Sequence, residues 1–269
     1  MQDLVRKRWG NMLLAGIFIY GLWLLVAYQN VSRLVLLPTR LPASYPFQFD
    51  QPFQETWMVD EKGGVHGLFF PTDHALKKGL ILYFHGNADD LQRWGKHAGD
   101  FTSRGYDILM VDYPGFGKST GKPSEKGLYR AAELAYTWAE GKYPKEDIIL
   151  YGRSMGSGPA SYLATHHKAR SLMLETPFYS MNDITHKRFP LLFPLEIPFK
   201  VAVHENLANR TMEEAYIFQG TDDRVVPLRS AERLKPFLKQ AEDFFLIKGG
   251  QHKNLSHFDT YQTALDKVL

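Results

Sequence analysis

Apolar residues in this chain are laid down in two different rhythms. From Trp9 to Ser32 no residue is charged, and Met12 to Ala27 is apolar almost without interruption. About 20 such residues cross the hydrocarbon of a bilayer as one helix, so positions 9–28 predict a transmembrane anchor. A cleaved secretory signal would carry a shorter apolar region of about 7–15 residues and a small-residue cleavage site, and Ala27-Tyr28-Gln29 is not such a site. Trp9, Trp23 and Tyr28 suit the two interfaces of a bilayer.

The second rhythm begins at Leu80. Short apolar runs at Leu80–Phe84, Ile108–Val111, Ile148–Tyr151, Leu172–Leu174, Ala215–Phe218 and Phe244–Ile247 alternate with longer segments of helical character. Those segments are Leu91–Ser103, Glu125–Glu140, Gly156–His166, Leu228–Lys239 and Asn254–Lys267. Alternation of this kind implies right-handed crossovers and a parallel sheet covered on both faces. Ahead of it, Thr56–Val59 and Val65–Phe70 flank Glu61-Lys62-Gly63-Gly64 and predict an antiparallel hairpin. The expected architecture is therefore α/β: a doubly wound, mostly parallel sheet with an antiparallel leading hairpin, preceded by one membrane helix.

The expected organisation is a cytoplasmic N-terminus (1–8), the anchor (9–28), a linker (29–53) and one domain (54–269). Pro38, Pro42, Pro46 and Pro52 exclude regular helix from the linker, since each removes an amide donor and restricts its predecessor. Residues 177–209 break the alternation. They carry Phe178, Tyr179, Phe189, Phe193 and Phe199 among prolines, and are expected to form a small cap insertion over the site, lining an apolar pocket; packing on the sheet as irregular structure is the plainer alternative.

Composition narrows the functional classes. A chain of 269 residues, 44% hydrophobic and 14% aromatic, suffices for one large core. A net charge of +3 with scattered lysines and arginines argues against nucleic-acid binding. Arg6, Lys7 and Arg8 precede the anchor, whereas Arg33 and Arg40 are the nearest cations after it. The N-terminal cluster favours a cytoplasmic N-terminus, with the domain on the extracytoplasmic side. Cysteine is absent, which fits an oxidising compartment or a cytosolic one equally.

The candidate chemistry centres on Gly152-Arg153-Ser154-Met155-Gly156, which follows one of the apolar runs and opens a helix. Two glycines permit a sharp bend, and the bend leaves the Ser154 hydroxyl uncovered, as a nucleophile requires. A hydroxyl needs a base to take its proton and an acid to orient that base. Downstream of Ser154, Asp222-Asp223 follows the run ending at Gly220, and His252 sits in a glycine loop after Phe244–Ile247. Asp223 is preferred over Asp222 as the acid, and His252 over the other nine histidines as the base. Two backbone N–H groups are expected to hold the oxyanion: that of Met155, and that of Asn87 in the loop His85-Gly86-Asn87-Ala88. His85 is expected to shape its turn, and Tyr113 to reach the pocket rim. Gly117-Lys118-Ser119 ends like a phosphate-binding loop, but Asp112 stands where that motif needs glycine. No metal-ligand spacing occurs.

The segments HGNADDLQRWG, DYPGFGKSTGKPSE, YGRSMGSGPA, GTDDRVVP and GGQHKNL together resemble the α/β-hydrolase superfamily, in its order and approximate spacing, from about Pro38 to the C-terminus. More narrowly the chain looks like the Bem46-like branch of membrane-anchored serine hydrolases, with relatives of the α/β-hydrolase domain-containing proteins 13 and 17. The resemblance implies Ser154, Asp223 and His252 as nucleophile, acid and base. It also implies hydrolysis of ester, thioester or amide bonds without a cofactor. The resulting expectation is a monomeric serine hydrolase, anchored in a membrane, that cleaves acyl esters or thioesters of small-molecule or lipid substrates. Two alternatives stand beside it. An aminopeptidase or amidase would use the same groups, with Glu196 or Glu205 holding the substrate amine. A non-catalytic anchored protein would use the fold as a binding surface.

Overall fold

A computed structural model describes residues 2–30, 35–188, 190 and 199–269, with side chains from residue 5 onward. Its frame is one eight-stranded sheet: β1 (Gln54–Asp60), β2 (Gly63–Phe70), β3 (Gly79–Phe84), β4 (Tyr106–Val111), β5 (Ile148–Arg153), β6 (Ser171–Glu175), β7 (Ala215–Gly220) and β8 (Phe244–Ile247). The spatial order is β1-β2-β4-β3-β5-β6-β7-β8. β1 and β2 pair antiparallel, β2 meets β4 antiparallel, and every later pairing is parallel. All eight strands coincide with the apolar runs read from the sequence, extended by at most three residues at an end. Continuous hydrophobicity marks the inner strands because both of their faces are covered.

The two faces carry separate cores. Along β3, Leu80, Leu82 and Phe84 point to one core, which the helices Glu125–Glu140 and Ser157–His166 complete. Ile81 and Tyr83 point to the other, filled by Leu91, Trp94, Phe101, Tyr261 and Leu265. Strand side chains alternate faces, so a five-residue apolar run feeds both layers at once.

Helix boundaries depart further from the sequence expectation. The segment Leu91–Ser103 is one turn of α-helix (Leu91–Trp94), a 3-10 turn (Gly95–His97) and another short helix (Gly99–Thr102). Gly95 sits under the Phe49 ring, where a Cβ would come within 2.5 Å of ring carbons. Tertiary crowding, and not local propensity, places that residue and loosens the helix. Leu228–Lys239 shortens to Leu228–Glu232, because Pro236 starts a separate 3-10 turn at Lys235–Phe237. Asn254–Lys267 splits into a 3-10 turn, Leu255–His257, and a helix, Asp259–Val268.

The N-terminal helix runs from Gln2 to Gln29. Its stretch Val5–Gln29 is long and apolar enough to span a membrane, and 6% of its most apolar window is buried against the rest of the chain. Leu24 packs against the domain core and Ala27 is buried in it. Of the expected linker, residues 31–34, Arg33 among them, lie outside the described residues. Residues 36–53 form no regular element, as their prolines predict, yet Leu36 and Phe47 are buried. This stretch is sewn to the domain along its length.

Within 177–209, the described residues form helices Met181–Arg188 and Val203–Ala208. Phe178, Phe199, Val201, Val203 and Leu207 are buried in the core against the helix Ser157–His166. Phe189, Phe193 and Glu196 lie outside the described residues.

Candidate active site

Ser154 follows β5 directly, at φ 52°, in the left-handed region that side chains other than glycine seldom adopt. A 3-10 turn, Ser154–Gly156, then leads into the helix Ser157–His166. Both motif glycines are required by space: a Cβ on Gly152 would lie 2.4 Å from the Gly156 oxygen, and one on Gly156 would lie 1.9 Å from the Phe84 oxygen. The turn is therefore pressed against the end of β3, and the serine side chain projects at the carboxyl edge of the sheet. Strain of this kind costs about 1–3 kcal/mol and persists where packing over-determines it.

Asp223 arrives from the loop after β7 and is buried. Its Oδ1 accepts the N–H groups of Val225 (2.8 Å) and Val226 (2.9 Å), and Gln219 Nε2 donates to Oδ2 at 3.3 Å. His252 arrives from the loop after β8. Its Nδ1 lies 2.8 Å from Asp223 Oδ2 and its Nε2 3.0 Å from Ser154 Oγ. With Nδ1 donating to the carboxylate, Nε2 is free to accept the serine proton. Three side chains from three loops, 98 positions apart at the extremes, thus form one hydrogen-bonded line.

Asp222 takes no part in that line. It is exposed and accepts the Thr221 hydroxyl at 2.8 Å. Asn87 borders the same cleft as Ser154, and among the described residues its N–H has no acceptor. Met155 is buried at the first position after the serine. His85 shapes the loop carrying Asn87 from a fully buried position: its Nδ1 lies 2.8 Å from the Gly86 oxygen and its Nε2 3.4 Å from Asp112 Oδ1. Tyr113 does not reach the rim. It is buried beneath that loop and donates its hydroxyl to the His85 oxygen at 2.7 Å. Lys118 is equally unavailable to a phosphate, because it is held by Glu55 at 2.7 Å.

Two contributors are absent from the sequence-based set. Gln219 steadies Asp223 and also donates to the Val226 oxygen at 3.1 Å. Arg153, directly before the nucleophile, is buried against Glu175 at 3.2 Å and against the Trp94 ring, and reaches the His252 oxygen at 3.5 Å. Burial alone would lower its guanidinium pKa; the Glu175 carboxylate together with the Tyr83, Tyr151 and Tyr261 hydroxyls outweighs this and holds the value above the ordinary one. The sequence carries one signal for Arg153, a charge at the end of an apolar strand, and none for Gln219.

A small cleft opens over Ser154. Asn87, Asp89, Arg93, Trp94, Arg153 and Lys253 line it with Ser154 and His252. Asp89 is paired with Arg93. No described residue of 177–209 lines this cleft, and the described helix Val203–Ala208 packs on the helix Ser157–His166. Glu205 is exposed beside His204 and is not among the residues lining this cleft. Among the described residues no group of three or more histidines and acids is placed to hold a metal ion.

A family model described as serine aminopeptidase S33 matches residues 75–209. The α/β-hydrolase domain-containing protein 17C of Xenopus tropicalis is 27% identical over 212 residues, 78% of this chain and 67% of that protein. An uncharacterised protein of Mycobacterium tuberculosis is 28% identical over 233 residues, 84% of this chain and 82% of its own length. Among solved structures, the Pyrococcus furiosus esterase Pf2001 superposes with a TM-score of 0.65 at 16% identity, covering 87% of this chain and 95% of that one. A lidless α/β serine hydrolase of Xanthomonas campestris superposes at 0.61 with 13% identity, covering 84% and 98%.

Proposed function

This chain belongs to the α/β-hydrolase family described as serine aminopeptidase S33, and from that premise we propose that it is a membrane-anchored serine esterase or thioesterase. The observation that carries the reading is the unbroken line from Asp223 through His252 to Ser154 Oγ, at 2.8 and 3.0 Å. His252 takes the Ser154 proton as the hydroxyl attacks the acyl carbon. The tetrahedral oxyanion forms against the N–H groups of Met155 and Asn87. His252 then gives the proton to the leaving oxygen or sulfur, which departs and leaves an acyl-serine. Water, deprotonated by the same imidazole, releases the acid and restores the hydroxyl. Asp223 keeps Nδ1 protonated throughout and stabilises the imidazolium. All these groups come from one chain, so the reaction needs no second subunit, and the chemistry calls for no cofactor.

Esters and thioesters are favoured over free N-terminal amines by the charge of the cleft. An aminopeptidase must hold an ammonium, whereas the one carboxylate among the described residues of this cleft, Asp89, is engaged by Arg93, Arg153 is matched by Glu175, and Lys253 adds a further positive charge. Anchoring through Val5–Gln29, with the basic N-terminus cytoplasmic, presents this cleft to acyl substrates at an extracytoplasmic membrane face.

The test is labelling of the detergent-solubilised full chain with a fluorophosphonate, beside Ser154→Ala, followed by a panel of short to long acyl esters, thioesters and aminoacyl amides. Serine-dependent labelling with turnover of esters or thioesters is the expected result. Absent labelling supports the non-catalytic alternative, and preferential amide cleavage supports the aminopeptidase. Because the chain has no cysteine, Ser103→Cys in intact cells reports the side on which the domain lies, through an impermeant maleimide.

A further inference from the structure

The chain between the apolar helix and the domain does not simply tether one to the other. Asn87 places both ends of its side-chain amide on it: Nδ2 donates to the Val35 oxygen, and Oδ1 accepts the Leu37 N–H at 3.0 Å. Two residues on, Pro38 and Asp89 form a parallel bridge, with the Thr39 N–H 3.4 Å from the Asp89 oxygen. The other edge of the same strap is paired as well. Gly117 donates to the Thr39 oxygen at 2.7 Å, Leu41 donates to the Gly117 oxygen at 2.9 Å, and Arg40 reaches the Gly121 oxygen at 2.9 Å. Leu36, between the two Asn87 contacts, is buried in the core.

The loop that receives these bonds is the one that supplies the Asn87 N–H. It is strained: Ala88 and Asp89 stand at φ 83° and 65°, two consecutive left-handed residues without a glycine. Such a conformation holds only where its surroundings over-determine it. From the domain side the loop is held by Trp94 Nε1, which donates to the Ala88 oxygen at 3.0 Å. From the other side the polar groups fastened to Asn87 and Asp89 belong to the strap.

Resting on the hydrolase reading above, we propose that Val35–Leu41 is a working half of the oxyanion loop and that the Asn87 side chain is the positioning residue joining them. Asn87 then has two separable duties. Its backbone N–H faces the reacting oxygen, while its amide fastens the loop to the segment that leaves the membrane helix. The physical reason is preorganisation: an oxyanion donor acts only if it is aimed before the charge develops, and a displacement of about 1 Å suffices to lose most of its effect. Asn87→Ala keeps the backbone donor and removes only the fastening. Leu37→Pro removes from the other end the bond to Asn87 Oδ1, leaving the one to the Val35 oxygen, and position 37 already precedes a proline.

The experiment uses the full chain in detergent, with turnover of a short acyl ester normalised to the serine titrated by fluorophosphonate. Asn87→Ala and Leu37→Pro are each expected to lower kcat per titrated site about tenfold, with KM changed less than about twofold, because a misaimed donor weakens the transition state and not substrate binding. The double variant is expected within about threefold of the lower single, since both substitutions break one connection. A purely structural role would reduce the number of titratable sites and leave kcat per site unchanged. That outcome overturns the proposal, as does a double variant in which the two losses multiply. If Asn87→Ala does not fold, Asn87→Asp carries the same test, because it keeps the acceptor for the Leu37 N–H and sets a carboxylate oxygen against the Val35 oxygen in place of the donor. Failure of the wild-type chain to label at Ser154 would remove the hydrolase reading itself, a result distinct from normal labelling with an indifferent Asn87.

Discussion

Gly156 lies so close to the Phe84 main-chain oxygen that a Cβ at this position would stand 1.9 Å from it. The nucleophile turn is thereby wedged against the end of β3, and backbone on both sides leaves nothing to move aside. Gly156→Ala is expected to destabilise by about 3 kcal/mol or more, lowering Tm by about 6–12 °C in a domain of this size. Gly141→Ala is the matching control, because a Cβ there meets nothing nearer than 3.6 Å. A thermal melt of the two variants checks the contrast. Equal melting points would show that the turn yields.

The neighbouring aspartates have opposite fates. Asp223 receives His252 and two backbone amides, whereas Asp222 is exposed on the Thr221 hydroxyl. Asp223→Asn presents an amide where a carboxylate must accept Nδ1–H, which turns the imidazole to the wrong tautomer. A loss of roughly 10⁴ in kcat is expected for it. Asp222→Asn is expected within about threefold of wild type, as for a surface substitution away from the reacting groups. Steady-state ester hydrolysis decides, and a larger loss at Asp222 would reverse the assignment.

Arg153 and Glu175 form a buried ion pair behind the His252 loop, with the Tyr151 and Tyr261 hydroxyls also on the Glu175 carboxylate. Arg153→Met leaves that carboxylate buried without its cation and is expected to cost about 3–5 kcal/mol. Arg153→Met with Glu175→Gln removes the stranded charge and is expected to regain much of the stability, though not the brace on the His252 oxygen. Denaturation of the single and double variants measures the coupling.

His66 is fully buried, with its Nε2 2.8 Å from Glu55 Oε2, an oxygen that Lys118 already occupies. Burial outweighs the attraction of Glu55 and holds the imidazole pKa below its usual 6.5. The unfolded chain then binds the proton more readily than the folded one. Its contribution to stability is present above about pH 6.5 and is lost as pH falls through the depressed folded value. Tm of the wild type is expected to decline below pH 6.5 with a component that His66→Gln removes. Parallel melts from pH 7.5 to 5 test this, and an identical slope in both proteins would discount His66.

Strand positions were legible because burial on both faces demands uninterrupted apolar runs, which leave their mark on composition alone. Helix interruptions were less so. Gly95 yields to the Phe49 ring more than 40 positions earlier in the chain, and local propensity holds no record of that meeting. An aromatic, proline-rich stretch reads alike whether it faces a substrate or a core, and the described part of 177–209 gives Phe178, Phe199, Val201, Val203 and Leu207 to the core.

The amino-acid order by itself determined the alternation of strand and helix, the apolar span, and the glycine-flanked bend that bares Ser154, because each depends on residues within a few positions of one another. It also narrowed the acid and the base to two short loops. Only the tertiary structure decided which aspartate meets His252, how Arg153 and Gln219 brace the line, and that Asn87 grips the segment that follows the N-terminal apolar helix. Those outcomes turn on distances between loops far apart in the chain, and such distances are set by how the sheet and its two cores pack.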